Sequence, residues 1–404
     1  MARIRVALIG LSRSAKVSWA AEGHLPYLLS PRGRSHYEIV ALLNSSTGAA
    51  EAARKHYGLP VTVKVYGDPK QLAADPDVDL VVCITRVDTH VALTRDSLRA
   101  GKAIYVEWPL AENYDAAVAL TGQGRIDNSI AGLQGRVSPI ALKLKEILKT
   151  GRIGRVLSSD IRAFGNLLPR DALPEGLKYF AEREVGGNPI TIAYAHTIDY
   201  VHDILGEFAS FESRMQIQRQ AIKILGSDGT QTGEVQSDVP DFLAVHGKLA
   251  TGTTDIVDDA TLAATFRAGQ QVKGTRGFAW SINGEKGEIM VSASGAYLHS
   301  DSYGEPIKIQ VHDHATDEVV DVAWDWKDWQ KDLPVRARIV GELYERYAHW
   351  WESGRPSGPL ADGEEWPRLH DAVERMSEFR ELFAQYDAGP VRYSVQFDSN
   401  ARLG

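Results

Sequence analysis

The sequence predicts two folded units. Residues 1–130 form an α/β unit on a parallel sheet, and residues 131–404 form an α+β unit built on a mostly antiparallel sheet. Three observations predict this. In the first third, short apolar runs alternate with amphipathic segments, as βαβ units require. From about Leu157 onward, period-two runs separated by turn clusters dominate, as in antiparallel sheets with one packed face. A chain of 404 residues is also long enough for two domains of roughly 100–200 residues each.

The strand-like runs of the first unit are Arg3–Ile9, Tyr37–Leu43, Leu80–Thr85 and Ala103–Val106. Ala49–His56 and His90–Arg99 read as helices between them, and Gly101 follows the second as a helix-ending glycine. Ile140–Lys149 reads as a helix that ends in the turn Gly151–Val156. The period-two runs of the second unit are Leu157–Ala163, Ala209–Ile217, Phe242–Leu249, Ala260–Phe266, Gly277–Ile282 and Ile307–Val311. Gly226–Asp238 is polar and glycine-containing, and reads as a mobile loop. Helices Arg336–Trp351 and Trp366–Tyr386 close the chain.

Composition narrows the function. Forty-five basic and 53 acidic residues give a net charge of −8, which argues against a direct nucleic-acid binder. Cys83 is the single cysteine, so an intrachain disulfide is excluded, and its apolar surroundings read as a buried strand. No apolar run reaches the roughly 18 residues of a membrane span, and no charged leader precedes an apolar stretch. The expectation is a soluble protein of a reducing compartment, the cytoplasm.

The first strand ends Val6-Ala-Leu-Ile-Gly10, followed by Leu11, Ser12, Arg13, Ser14 and Ala15. This is the place of the Rossmann G-x-G-x-x-G/A turn, with Ser12 where the second glycine stands. Gly10 allows the tight turn. Ser12 allows close approach to a pyrophosphate, and Ala15 is small enough for helix-on-strand packing. The second strand ends Leu43-Asn44-Ser45-Ser46, without the acid that grips the ribose hydroxyls of NAD. Three neutral residues would not repel a 2′-phosphate, which points to NADP with NAD as the alternative. They also suit the cap of a helix beginning near Thr47.

Several ordered segments carry a family resemblance: His24-Leu25-Pro26, Thr85 to His90, Gly101-Lys102, Val106-Glu107-Trp108-Pro109-Leu110-Ala111, Gln134 to Pro139 and His196-Thr197-Ile198-Asp199. Across nearly its whole length the chain resembles the glucose–fructose oxidoreductase (Gfo/Idh/MocA) family. Leu133 to Pro139, His196 to Asp199 and Ser18-Trp19-Ala20 resemble the fungal galactose-repressor-like branch of that family, although the turn Ser12–Ser18 is longer here. The resemblance implies a Rossmann domain and a nicotinamide oxidoreductase that works on a sugar-like or other small carbonyl, alcohol or imine. It places Thr85, Arg86, His90, Glu107, Trp108 and Arg136 around the dinucleotide, and it implies a homodimer through the open sheet face.

The family's Glu-Lys-Pro lysine is its usual proton donor, and here that position is Trp108. The second-domain acid, four residues before the histidine, is Ile192. Indole has no useful acidity, but it can wall a pocket or stack on a ring. Tyr194, His196 and Asp199 remain as catalytic candidates: His196 for its intrinsic pKa of about 6.5, Asp199 to orient it from the same helical face, and Tyr194 as an acid if a cation lowers its pKa. Asp199 is equally suited to pair with Arg136. The rival expectation, from the repressor branch, is a dinucleotide-binding regulator acting on a protein partner. His312 and His314 share a strand face, but no third ligand stands beside them, so no metal is expected. Trp324, Trp326 and Trp329 read as packing, with the first two on one sheet face.

Overall fold

The computed structural model describes residues 2–13, 18–252, 254–358, 360–361 and 363–389. Six strands form the first sheet: β1 (Ile4–Ile9), β2 (Tyr37–Leu43), β3 (Lys64–Tyr66), β4 (Leu80–Cys83), β5 (Ala103–Glu107) and β6 (Ile130–Gly132). All are parallel, in the order β3-β2-β1-β4-β5-β6. The order reverses between β1 and β4, which opens a crevice for a ligand at the carboxyl ends of the strands. Every residue of β4 is buried, as a continuous apolar run covered on both faces should be.

Helices α1 (Leu25–Leu29), α2 (Pro31–His36), α3 (Thr47–His56), α4 (Pro69–Ala74), α5 (His90–Arg99) and α6 (Tyr114–Thr121) connect these strands. Ser30, Ser46, Asp68 and Asn113 cap four of them through side-chain oxygens that accept backbone N–H groups. Helix α7 (Pro139–Lys149), capped by Ser138, leads into the second unit.

That unit holds β7 (Val156–Gly165), β8 (Ala172–Pro174), β9 (Phe208–Gln216), β10 (Ala221–Leu225), β11 (Gln231–Gln236), β12 (Phe242–Leu249), β13 (Ile256–Ala268), β14 (Phe278–Gly284), β15 (Gly287–Ala293), β16 (Lys308–Asp313) and β17 (Glu318–Asp321). Eight of them form a sheet in the order β17-β16-β15-β14-β7-β13-β12-β9. Only the β7–β13 pair in it is parallel. Helix α8 (Ala195–Leu205) lies against its inner face, where Tyr200 meets Trp280.

Two expectations change. Gly226–Asp238 is not simply a loop, because β11 pairs antiparallel with β10 and β10 pairs parallel with β8. The hairpin is polar because one of its faces is open to solvent, while Ile222, Ile224 and Val235 pack inward with Leu173 and Ala181. Trp324 and Trp326 do pack, in edge contact at 6.2 Å, but they follow β17 rather than sharing a strand face.

The chain ends with α9 (Asp328–Lys331), α10 (Val335–Glu352) and α11 (Leu369–Ala388). Helix α10 returns to the first sheet. There Tyr344 stacks on Tyr27, with ring centroids 5.4 Å apart, and the Tyr37 hydroxyl donates to its carbonyl. All three tyrosines are fully buried.

Candidate functional site

The nucleotide end is built by backbone. Gly10 closes β1 with φ +95°, and a Cβ there would lie 2.4 Å from the Ile84 carbonyl oxygen. Only glycine fits both the conformation and the approach. The indole N–H of Trp19, just after this turn, is buried without a partner among the described residues. A glycine cradle at the strand-order reversal and an unspent donor beside the turn suit a dinucleotide. Ala15 lies outside the described residues. The Ser12 carbonyl accepts from the Tyr57 hydroxyl at 3.0 Å.

At the end of β2, Asn44 donates its amide to the Leu11 carbonyl, so it holds the turn. The Ser46 hydroxyl accepts from Ala49 N–H as the cap of α3. Ser45 and Ser46 are exposed at the strand end. Among the described residues no acid stands between Leu43 and Gly48.

The β4 and β5 ends are tied together. His90 is buried, and its ring nitrogens lie 2.9 and 3.0 Å from the carbonyl oxygens of Pro109 and Thr85. Both nitrogens are engaged with backbone, so His90 ties the end of β4 to the segment after β5. Thr85 shares its hydroxyl with Thr89, and Arg86 grips Asp88 through two bonds of 2.6 Å. Glu107 accepts from His24 at 2.9 Å, and the other nitrogen of His24 meets the Tyr344 hydroxyl at 2.9 Å. This buried line joins β5 to α10.

Trp108 turns away from the role of a proton donor. Its indole N–H donates to the Thr191 carbonyl at 2.6 Å, and the ring is 7% exposed. Thr191 belongs to a wide π-helical turn, Ile190–Tyr194, that leads into α8. π turns often mark functional segments of helices. The lysine's place is therefore a bolt between the two units.

The three catalytic candidates do not converge. Tyr194 packs against Phe266 and Phe379, and its hydroxyl has no partner among the described residues. Burial, reinforced by Glu378, pushes its pKa well up, and the Arg375 cation does not reverse this. The expectation of a Tyr194 made acidic by a cation is corrected on that ground.

Asp199 does not orient His196. Both of its oxygens accept from Arg136, at 2.8 and 2.9 Å, and Arg375 stands at 3.4 Å. Arg136 also bonds Asp371 at 2.9 Å. It thus belongs to a part-buried ion-pair network. Arg375 extends the network to Glu207 and Glu378. Glu207 and Glu378 lie with His202 close enough to share a metal ion, but Arg375 already supplies the cation bonded to both carboxylates.

His196 has a different neighbour, His299. Their rings stack with centroids 3.9 Å apart and planes 16° apart. Both Nδ1 atoms are buried without partners among the described residues. Burial brings His196 down to about 4, against a smaller opposite pull from Glu107 and Asp199, and holds His299 well below the usual range. At neutral pH both rings are uncharged.

A cavity of about 380 Å³ lies beside this pair. Ile192 and Ala193, one turn before His196, line it, and so does Tyr297, whose ring is 5.8 Å from that of His299. β8 and β10 supply a wall through Leu173 and Ile222. Arg336 reaches the cavity from α10 and pairs with Asp301 and with Glu22 beyond the nucleotide turn. Sequence reasoning missed His299 and Tyr297. They sit in an irregular segment after β15, where no periodicity marks them.

Residues 4–123 match the model of the oxidoreductase family with an NAD-binding Rossmann fold (GFO_IDH_MocA), and residues 139–293 match that of the Gal80p C-terminal domain. The chain is 33% identical over 307 residues to dehydrogenase aclE of Aspergillus oryzae, covering 74% of this chain and 79% of that one. It is 27% identical over 307 residues to the galactose/lactose metabolism regulatory protein GAL80 of Kluyveromyces lactis, covering 73% and 65%. In fold it is similar to a super-repressor mutant of Gal80p from Saccharomyces cerevisiae, with TM-score 0.82, 21% identity and 96% and 97% coverage. It is also similar to levoglucosan dehydrogenase in its apo form, with TM-score 0.73, 16% identity and 96% and 97% coverage.

Proposed function

Because the chain belongs to the Gfo/Idh/MocA oxidoreductase family, near its Gal80-like branch, we propose that it is an NADP-dependent oxidoreductase of a sugar-like or other small alcohol, carbonyl or imine. NAD is the alternative cofactor. The observation that carries this reading is the neutral, buried His196–His299 stack near a cavity of the second unit.

A bound nicotinamide supplies the hydride acceptor. The chain's part is the proton. A neutral imidazole accepts the hydroxyl proton of an alcohol as the carbonyl forms, so His196 is set for oxidation. With a pKa of about 4 it is unprotonated near pH 7, free to accept a proton and weak as a base. Tyr297 and Ile192 hold the substrate against the pair, and Trp108 keeps the two units closed on it. The exposed, neutral Ser45 and Ser46 at the end of β2 support NADP. The reading extends to a cytoplasmic homodimer joined through the open face of the eight-stranded sheet, which sedimentation of the purified chain checks. Among the described residues no helix is long and apolar enough to cross a membrane.

One specific observation favours the second reading, a regulator that binds a dinucleotide and a protein partner. Trp108 and Ile192 replace both of the family's acids. The test is NADP reduction and NADPH oxidation against a panel of alcohols, sugar lactones, ketoses and cyclic imines, for wild type and Trp108→Lys. Wild-type turnover that falls in the variant supports the dehydrogenase. Tight NADP binding with no wild-type turnover, together with a captured protein partner, supports the regulator.

A further inference from the structure

The cavity near the histidine pair is lined mostly by apolar side chains and by three arginines. Leu167, Leu168, Leu173, Leu177, Phe180 and Ile222 form its walls, and Arg170, Arg219 and Arg336 also line it. The three guanidinium groups differ in what neutralises them. Arg336 is balanced by Asp301 and Glu22. Arg219 stands 3.3 Å from Asp241. Arg170 donates to the carbonyls of Gln270 and Gln271, both at 3.0 Å, and bonds no carboxylate among the described residues.

Two more arginines stand near Arg170 and Arg219. Arg162 and Arg267 lie over the ring of Phe164, at 5.2 and 4.9 Å. Arg267 donates to the Gln270 carbonyl at 2.7 Å, and its Nε is buried without a partner among the described residues. Burial and the charges of Arg219, Arg170 and Arg162 together lower the pKa of Arg267. Asp241 is the carboxylate that bonds into the group, and the nearby Asp171 is engaged by Lys223 at 2.8 Å. Clustered like charges destabilise a fold unless a counter-charge arrives. Guanidinium groups with free donors are suited to carboxylate, sulfonate or phosphate oxygens.

We propose that this cavity binds an amphiphilic small molecule, with an apolar ring or branched body against Leu173, Phe180 and Ile222 and an anionic group at Arg170 and Arg219. Its use as a substrate pocket rests on the dehydrogenase reading; its binding preference does not. A neutral polyol would leave the leucine walls poorly matched and Arg170 without a counter-charge. An apolar acid satisfies both, and its far end would lie toward Tyr297 and His299.

Two fluorescent probes test this on the full chain. 8-Anilinonaphthalene-1-sulfonate carries the anion, and N-phenyl-1-naphthylamine has a similar body without it. The sulfonate should bind one per chain, at least about tenfold tighter than the neutral probe. Arg170→Gln and Arg219→Gln should each weaken the sulfonate by about tenfold and leave the neutral probe within twofold. Leu173→Trp should exclude both probes, with circular dichroism confirming that the variant is folded. Equal affinities, indifference to both arginine variants, or binding that survives Leu173→Trp overturns the proposal. Sulfonate discrimination without turnover of any alcohol keeps it and counts against the dehydrogenase reading. Turnover without discrimination does the reverse.

Discussion

His196 and His299 lie face to face at 3.9 Å, each with an Nδ1 that has no partner among the described residues. A proton on either ring would place a charge in a buried stack that offers it no partner at that atom, so the pair stays neutral where an exposed histidine would titrate.

The pair gives a pH dependence with a definite sign. The unfolded His196 titrates near 6.5 and the folded one at about 4. Between these values the unfolded chain binds the extra proton, so the stability held above about pH 6.5 is lost as pH falls toward 4. His196→Asn should remove about 2 kcal/mol of the stability difference between pH 7 and pH 5, read from urea unfolding at the two pH values. The same variant should lose at least about 100-fold in alcohol oxidation. A wild-type acid limb near pH 6.5 would argue against the neutral pair.

Trp108→Phe keeps the aromatic wall and deletes the donor to Thr191. The part-buried bond is then lost, and stability should fall by about 1 kcal/mol in equilibrium denaturation. Dinucleotide affinity should change little, since the indole bonds protein and not ligand. A variant as stable as wild type would show that the bolt carries no energy.

Ser46→Asp separates cap from cofactor. Aspartate caps a helix as well as serine does, so thermal stability should hold. Its charge beside the ribose should move preference from NADP toward NAD by about tenfold, or about 1.4 kcal/mol. Titration of both oxidised cofactors reads the shift. Wild type that already binds NAD tenfold more tightly would reverse the cofactor reading.

Asp199→Asn leaves Arg136 and Arg375 sharing fewer carboxylates in a buried network. A loss of about 3 kcal/mol is expected. Substrate KM should be unchanged at temperatures where the variant remains folded. A change in the pH profile without a loss of stability would return Asp199 to the chemistry of His196.

The sequence made the two sheets legible because their signals are local. The all-buried run of β4 and the alternation of β12 are both written in neighbouring residues. Gly10 was equally readable, since a glycine that ends a first strand has few other uses. What stayed hidden depends on distant neighbours. Asp199 sits three residues from His196, yet its partners are Arg136 and Arg375, 63 and 176 positions away. Trp108 could be recognised as a missing lysine, but its bond to Thr191 needed the fold. His299 lies 103 residues from its stacking partner, in a stretch with no regular pattern. Strand β11 reads as loop because its outward residues are polar, and the few inward ones give too short an apolar signal.

That hairpin and β8 form a sheet that shares no strand with the other two and carries a small core of its own in Leu173, Ala181 and Ile224. One wall of the cavity is thereby detachable in an evolutionary sense. Exchanges confined to this small sheet redraw what the cavity admits, while the glycine turn, the histidine pair and the Trp108 bolt keep their places. Descendants of such a scaffold can change clients without rebuilding the machinery, and can retire the machinery while keeping a client.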